Sequence, residues 1–237
     1  MSRLLVSVRN VDEARLAWQV GADLIDVKEP SLGSLGPASQ DVLLQVAATS
    51  PADVPLSAAL GELADRPYTG AAALPDRFQF AKIGLAGCRM DKDWRSAWAD
   101  VFARLAQGTK RVAVAYADWQ LAGCPAPGDV IRHGANIGCR VVLIDTFQKH
   151  RGPLLHHMTT KQLMELRQLA SELKMMFVLA GSLDVPAITE LHKLAPDYFA
   201  VRGAICRPDR QGRLDASLLR ALMDDISALN RQCDTVN

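Results

Sequence analysis

Aromatic residues and net charge are both scarce in this chain. Phe, Trp and Tyr make up 5% of its 237 residues, and the formal net charge is +1. Few aromatic rings leave little surface on which nucleic-acid bases could stack, and a near-neutral chain has no basic field to attract a phosphate backbone. We therefore predict that the protein has no nucleic-acid partner.

Long apolar runs are missing as well. No run reaches the roughly 18 apolar residues of a membrane-spanning helix. The start, Met1-Ser2-Arg3 before a short strand-like run, lacks the long apolar region of a signal peptide. Five scattered cysteines form no CxxC pair, which is typical of reduced thiols. These absences predict a cytoplasmic protein with no membrane partner.

Metal-ligand spacing is also absent from the sequence. The adjacent residues His156 and His157 would not direct both rings at one ion on a regular element. We predict that the site contains no metal and that the protein needs no cofactor.

Short apolar runs alternate with amphipathic helical segments along the whole chain. The runs predict eight strands: Leu4 to Val8, Leu24 to Lys28, Pro55 to Leu60, Phe78 to Gly84, Arg111 to Tyr116, Arg140 to Asp145, Met175 to Ala180 and Tyr198 to Val201. The first helix has Asn10 or Asp12 as its N-cap and Gly21 as its stop. The other helices are predicted near Ser39 to Ala48, Tyr68 to Leu74, Asp93 to Gln107, Gly128 to Ile137, Thr160 to Leu173, Val185 to Leu194 and Ala216 to Leu229.

Eight strand–helix units in a chain of this length favour a closed parallel barrel. Strands that alternate with helices form parallel sheets, and continuous apolar strands are covered on both faces. We predict a single (β/α)8 (TIM) barrel domain over residues 1–237. An open doubly wound sheet is the alternative. It usually carries a GxGxxG turn after its first strand, where this chain has SVRNVDE.

Charged residues interrupt this apolar pattern at particular strand ends. In LIDVKEP, Asp26 and Lys28 are two positions apart and therefore point to one face of the strand. The carboxyl ends of the strands form the catalytic face of a (β/α)8 barrel, and alternate strands fill one layer of its interior. The charged residues at the ends of even-numbered strands should therefore converge; they are Asp26, Lys28, Lys82, Asp145, Lys149 and Arg202. The alternative is a set of solvated residues on the rim.

These residue types favour amine chemistry on a carbonyl group. A lysine beside other cations in a partly dry site has a lowered pKa, so its neutral amine can form a Schiff base with a carbonyl carbon. A second amine or a carboxylate can then move protons. We predict that Asp26 and Asp145 orient the amines or shuttle protons; which lysine is the nucleophile and which is the base stays open from the residue types alone.

Small residues at other strand ends favour a phosphorylated ligand. Gly181 and Ser182 follow strand seven, and Arg202 and Gly203 follow strand eight, where such barrels commonly bind phosphate. Ser7 ends strand one and leaves room for a ligand. Ordinary strand-to-helix turns are the alternative explanation for both glycine-containing loops.

Several stretches resemble the (5-formylfuran-3-yl)methyl phosphate synthase family. The first, LLVSVRNVDEARLAWQVGADLIDVKEPSLGSLG, is similar to the N-terminal segment of that family, including its DVKxPxxGSLG block. The stretches FAKIGLAG, LIDTFQK, VLAGSL and VRGA resemble later family segments. The resemblance covers nearly the whole chain. It implies a (β/α)8 barrel that condenses two glyceraldehyde 3-phosphate molecules, with loss of one phosphate and two waters, on the route to methanofuran.

The resemblance also implies roles for particular residues. It places the Schiff-base lysine at Lys28 and the proton-accepting lysine at Lys82, and it matches Asp26, Asp145 and Lys149 to further active-site positions. Three departures concern loops: Glu29 stands where the family usually has Asn, HRG replaces Asp-Gly after Lys149, and GELADRPYTG is looser than its counterpart.

Two other functions stay open from the sequence. One is a class I aldolase or isomerase that acts on another sugar phosphate. The other is a non-catalytic metabolite-binding barrel, in which Trp94 and Trp98 on one helix face could contact a partner. The oligomeric state, a homo-oligomer included, is not determined by the sequence.

Overall fold

The strands of the protein close into a barrel. The computed structural model describes residues 1–65 and 71–234 of the chain. Within these residues, eight parallel strands pair in chain order, and the last pairs with the first. They are β1 (Arg3–Val8), β2 (Leu24–Val27), β3 (Leu56–Glu62), β4 (Phe80–Gly84), β5 (Lys110–Tyr116), β6 (Val141–Asp145), β7 (Met176–Leu179) and β8 (Tyr198–Val201). The predicted (β/α)8 barrel is confirmed, and the open-sheet alternative is wrong.

Helices surround the barrel and begin close to the predicted positions. They are α1 (Val11–Val20), α2 (Gln40–Thr49), α3 (Trp94–Phe102), α4 (Pro127–Asn136), α5 (Leu154–His157), α6 (Thr160–Glu172), α7 (Val185–Leu191) and α8 (Ala216–Asp234). Asn10, not Asp12, caps α1 by accepting a hydrogen bond from the backbone N–H of Glu13, and Gly21 ends this helix in the left-handed region with φ 109°. No helix in the described residues is long and apolar enough to cross a membrane.

The segment between β3 and β4 departs from the prediction. Of the helix predicted near Tyr68 to Leu74, residues 66–70 lie outside the described residues, and residues 71–74 form turns. Pro75 directly follows this short run, and the residue before a proline is disfavoured in the helical region. A run of four residues is also too short to be stable as a helix.

A short hairpin lies between β8 and α8 and was not predicted. Its strands β9 (Cys206–Arg207) and β10 (Arg213–Leu214) pair antiparallel. Two residues per strand are too few to produce a period-2 pattern, so no sequence pattern indicates the hairpin. The turn between the two strands brings Arg210 to the mouth of the barrel.

The barrel interior has an apolar lower part and a polar upper layer. Side chains that line the lower part are Leu5, Leu24, Phe80, Val112, Val141, Met176, Val178 and Tyr198. Above them, Ser7, Asp26 and Ser57 lie in register on three adjacent strands. On β2 the neighbouring Ile25 and Val27 point outward beneath the helices, because successive side chains of a strand alternate. This alternation is how a buried strand carries a charged residue toward the mouth.

Candidate active site

Asp26 is the centre of the polar layer and is fully buried. Its carboxylate accepts hydrogen bonds from Ser7 Oγ at 3.0 Å, Ser57 Oγ at 2.8 Å and Lys82 Nζ at 2.5 Å. Burial alone would raise the pKa of Asp26, but the ammonium groups of Lys82 and Lys28 and the hydrogen bonds outweigh it and lower the pKa. Asp26 is therefore held as a carboxylate beside Lys82.

Lys28 lies nearby but has a different environment. Its Nζ donates a hydrogen bond of 3.3 Å to the backbone carbonyl of Ser34, which is a neutral acceptor. Burial lowers the pKa of Lys28 to about 7. Asp145 and Asp26 oppose this shift, while Lys149 adds to it. Burial is thus the main cause, and the repulsion between cations that the sequence suggested is secondary. A large fraction of Lys28 is a neutral amine at neutral pH.

Asp145 and Lys149 form a second ion pair, in which Asp145 is buried and Lys149 is partly buried. Lys149 Nζ donates to the Asp145 carboxylate and, at 3.2 Å, to Thr146 Oγ1. Ser34 Oγ donates to the other Asp145 oxygen at 3.0 Å. Burial lowers the pKa of Lys149, against the attraction of Asp145. The backbone and hydroxyl of Ser34 therefore join the two amine environments.

One cavity at the carboxyl ends of the strands brings the predicted site residues together, and we call it the amine pocket. Asp26 lies beneath it. The predicted residues that line it are Ser7, Lys28, Lys82, Asp145, Lys149, Gly181, Ser182, Arg202 and Gly203. The nitrogens of Lys28 and Lys82 thus face the same space and not opposite ends of the molecule.

The loop after β7 approaches the pocket closely. Gly181 has φ 101°, and a Cβ on it would lie 3.1 Å from Thr146 Cγ2 and 3.2 Å from Leu154 Cβ. Ser182 also has a positive φ of 53°, which is uncommon for a residue with a side chain. A close-packed loop of this kind fixes its backbone N–H groups relative to the cavity.

Arg202 is held by protein acceptors. Its NH1 donates to Ser7 O at 2.9 Å and Glu13 Oε2 at 2.8 Å, and its NH2 donates to Glu13 Oε1 at 3.3 Å and Gly212 O at 3.0 Å. Its Nε donates to Arg210 O at 2.6 Å. These bonds use all of the N–H donors of a guanidinium group. Phosphate contact by Arg202 stays a prediction, and it would require an exchange of one of these bonds.

Glu13→Gln is expected to lower the free energy of unfolding by about 3 kcal/mol, because it leaves buried Arg202 without its charge partner. Burial raises the pKa of Glu13, but hydrogen bonds from Arg202 and Arg9 outweigh it and lower the pKa. The carboxylate therefore stabilises the fold above the unfolded-state pKa, and this contribution is lost as the pH falls through the lower folded-state pKa. Urea unfolding at pH 7 and in acid measures both effects. Asp12→Asn, on the exposed face of the same helix, is the control and should change little; equal losses in both variants would contradict the prediction.

Arg210 is a pocket residue that the sequence did not reveal. Its NH1 donates to Pro30 O at 3.2 Å and its NH2 to Gly33 O at 3.3 Å, so it connects the hairpin to the loop after β2. It also lines the amine pocket. Burial lowers the pKa of Arg210, and Asp145 opposes that shift. The only sequence signal was its place in the loop after strand eight.

Ser34 and Ser57 were also not singled out. Ser57 lies on the inward parity of β3, where it pairs with Asp26 in register. The alternation of side chains in PLSAAL already places Ser57 on the inward face, but a single serine in an apolar strand does not by itself indicate a site residue. Ser34 reaches Asp145 across a sequence separation of 111 residues, and no local pattern reports such a contact.

Solved structures of other enzymes share this architecture. The 3-hexulose-6-phosphate synthase of Salmonella typhimurium matches with a TM-score of 0.65 at 15% identity, over 93% of this chain and 98% of that one. A phosphoribosyl anthranilate isomerase from Thermotoga maritima matches with a TM-score of 0.65 at 12% identity, over 96% and 100%. At these identities the likeness concerns the fold alone.

Sequence relatives are much closer. The (5-formylfuran-3-yl)methyl phosphate synthase of Methanococcus maripaludis is 32% identical over 229 residues, which cover 93% of this chain and 97% of the relative. The enzymes of that name from Methanothermobacter thermautotrophicus and Methanosarcina mazei are each 31% identical, and they align over 93% and 95% of this chain and 97% and 100% of their own lengths. A sequence model described as 4-HFC-P synthase matches residues 4–223. This protein belongs to the 4-HFC-P synthase family.

Proposed function

We propose that the protein is a (5-formylfuran-3-yl)methyl phosphate synthase that acts on two molecules of glyceraldehyde 3-phosphate. The reaction would release one phosphate and two waters and would supply a methanofuran-type carrier. Family membership supports the product, and the amine pocket supports the chemistry. The single observation that carries the proposal is Lys28, a buried amine with a pKa of about 7 whose Nζ faces the same pocket as a carboxylate-paired Lys82.

The first step of this proposal is covalent. The free electron pair of neutral Lys28 attacks the aldehyde carbon, and loss of water gives a protonated Schiff base. The positive nitrogen withdraws electrons and acidifies the adjacent C–H bond. As that proton moves to Lys82, the Lys82 ammonium passes its own proton to the Asp26 carboxylate, 2.5 Å away, so the pair acts together as the base. The resulting enamine attacks the carbonyl carbon of the second triose.

The phosphate groups require cations and backbone donors. Lys149 and the loops at Gly181, Ser182 and Gly203 surround the pocket on the side where phosphate is commonly bound in this fold. Arg210 adds a guanidinium whose present bonds to carbonyl groups are long. In this proposal Arg202 fixes the Arg210 backbone, and Arg210 exchanges a carbonyl for a phosphate oxygen.

Turnover of glyceraldehyde 3-phosphate tests the function directly. Purified protein should produce a furan, seen as a new ultraviolet absorbance, together with one inorganic phosphate per furan. Reversible cleavage or isomerisation of a sugar phosphate without a chromophore would instead identify a class I aldolase or isomerase. Affinity for the triose without any reaction would identify a binding barrel. Either result would overturn the proposal.

Arg210→Ala is expected to raise KM by about 10- to 100-fold with a smaller effect on kcat, since a hydrogen bond to a charged group contributes about 1.5–3 kcal/mol. Steady-state kinetics with glyceraldehyde 3-phosphate measures this split. Arg213→Ala removes an exposed arginine from the same hairpin and should leave both constants unchanged. An unchanged KM in Arg210→Ala would remove this residue from the phosphate site.

A further inference from the structure

A second cavity opens at the barrel mouth beside the amine pocket. Its volume is about 400 Å³. It lies between the loop after β2 and the ends of β3 and β4. Described residues that line it include Ser34, Pro37, Glu62, Ala86, Ala122 and Phe147. Ser34 belongs to both regions, because its backbone carbonyl accepts from Lys28 Nζ and its hydroxyl donates to Asp145.

A partly buried carboxyl group forms part of the wall of this cavity. Glu62 Oε1 accepts a hydrogen bond of 2.5 Å from the Tyr116 hydroxyl, and Oε2 accepts one of 2.9 Å from the backbone N–H of Ala86. The charged groups that act most strongly on Glu62 are Asp65 and Asp145, which are both negative. Its environment therefore differs from that of Asp26 and Asp145, which each contact a lysine.

Two features of the local sequence place the Glu62 carboxyl group in the wall of the second cavity. The pairing of β3 with β4 shifts register between Ala59 and Glu62, and Gly61 within that shift has φ 89°. Such irregularities re-aim side chains at the ends of strands. Gly84 leaves the space that the carboxyl group occupies, since a Cβ on Gly84 would lie 2.0 Å from Glu62 Oε2. The carboxyl group occupies space that any other residue at position 84 would fill.

The proton affinities of this pair suit proton donation. Burial raises the pKa of Glu62 to about 7, against the hydrogen bond from Tyr116. Burial also raises the pKa of Tyr116 well above its ordinary value, so the phenol stays protonated. A carboxyl group that is partly protonated at neutral pH is matched to general acid catalysis. Tyr116 and Asp145 are also direct partners in the β5–β6 register, which places the pair one strand from the Lys149 site.

We propose that Glu62, seated over Gly84 and hydrogen-bonded to Tyr116, is the general acid that protonates the hydroxyl groups expelled as water during furan formation. This inference rests on the proposed function and adds a residue to it. In the step, the electron pair of the Lys28 enamine forms the new double bond. The C–O bond breaks with its electrons on oxygen, and the Glu62 proton converts the departing hydroxyl to water. No oxidant or reductant is needed, and Glu62 regains its proton by exchange with solvent.

Glu62→Gln separates this role from the Schiff-base step. The amide keeps the size of the side chain and a carbonyl acceptor for Tyr116, but it has no acidic proton. Borohydride trapping of glyceraldehyde 3-phosphate on Lys28 should be as efficient as in the wild type. Furan formation should fall by about 10²- to 10³-fold, because general acid catalysis contributes about 10²–10⁴. In this variant, the adduct on Lys28 should accumulate before its hydroxyl group is lost. Peptide mass mapping should therefore find a Lys28 adduct whose mass exceeds that of the dehydrated adduct by one water.

The pH profile gives a second readout that a structural role would not produce. Wild-type furan formation should have a bell-shaped pH profile: it rises as Lys28 becomes neutral and declines as Glu62 loses its proton, with both pKa values about 7. The residual activity of Glu62→Gln should lack that decline. Gly84→Ala should imitate the Gln variant by displacing the carboxyl group while Glu62 stays in the sequence. Glu165→Gln, an exposed carboxyl on α6, is the matched control and should behave as the wild type.

The outcomes distinguish this inference from the proposed function. Wild-type rates in Glu62→Gln, or an unchanged pH profile, would overturn the role of Glu62 and leave the synthase assignment standing. Parallel loss of trapping and turnover in folded Glu62→Gln would also overturn the role of Glu62, because the residue would then act on the pocket as a whole. Circular dichroism shows whether the variant is unfolded. If it is, trapping and turnover of Gly84→Ala decide the question. Wild-type protein that forms no furan would overturn both proposals.

Discussion

Lys28→Arg is expected to abolish the borohydride-stable adduct with glyceraldehyde 3-phosphate and to lower turnover by roughly 10⁴-fold or more, on the scale of losses for removed nucleophiles. Arginine keeps a positive charge, but its guanidinium stays protonated and has no free electron pair with which to attack a carbonyl. Peptide mass mapping after trapping measures the adduct. Lys161→Arg, on the exposed face of α6, is the control and should change neither readout.

The pH dependence of trapping follows from the same amine. Burial lowers the pKa of Lys28 to about 7, so the reactive neutral form increases as the pH rises through that value. Adduct formation should therefore be slow at pH 5 and close to its maximum by about pH 8. An adduct that persists in Lys28→Arg, or that forms faster in acid, would show that another residue is the nucleophile.

The barrel was predictable because its determinants are local. Apolar strands alternate with helices, and caps such as Asn10 and Gly21 mark the helix ends within a few residues. The segment around residues 71–74 has no such determinants, and the hairpin at β9 and β10 is too short to show them. Both elements depend on contacts with the rest of the fold.

The amine pocket was predictable in part. Parity along β2 places Asp26 and Lys28 on one side, and the strand-end rule brings Lys82 and Asp145 to the same mouth. The charge states were not predictable from this pattern. Lys82 meets Asp26, whereas Lys28 meets a backbone carbonyl, and that difference is decided by the course of the loop that contains Ser34.

Contacts between residues that are distant in the chain were not predictable from local patterns. Arg202 was predicted from its place at a strand end, but that pattern did not reveal its partner Glu13, which is 189 positions away in the chain. Glu62 lies at the irregular end of β3, where the register shifts, so the alternation along the strand does not predict which way its side chain points. A period-2 pattern describes a regular strand and fails where the backbone changes direction.

Asp26→Asn is expected to reduce turnover by on the order of 10²-fold or more and to lower the free energy of unfolding by about 3–5 kcal/mol, because it leaves Lys82 buried without a charge partner. The amide also has one acceptor oxygen where the carboxylate offers two to Ser7, Ser57 and Lys82. Since the pKa of Asp26 is lowered in the folded protein, the difference in stability should be full above the ordinary carboxyl pKa and should disappear as the pH falls through the lowered one.

The double variant Asp26→Asn with Lys82→Met tests whether the ion pair itself is responsible. Each single change leaves one buried polar group without its partner, whereas the double change removes both charges and keeps the volume of the lysine stem. Its loss of stability should therefore be smaller than the sum of the single losses by about 3 kcal/mol, within the range of coupling between contacting residues. Turnover should not recover, since no amine remains at position 82 to take the proton. Urea unfolding of the four proteins gives the coupling energy. Additive losses would show that Asp26 and Lys82 stabilise the barrel independently, and recovered turnover would show that the proton is taken elsewhere.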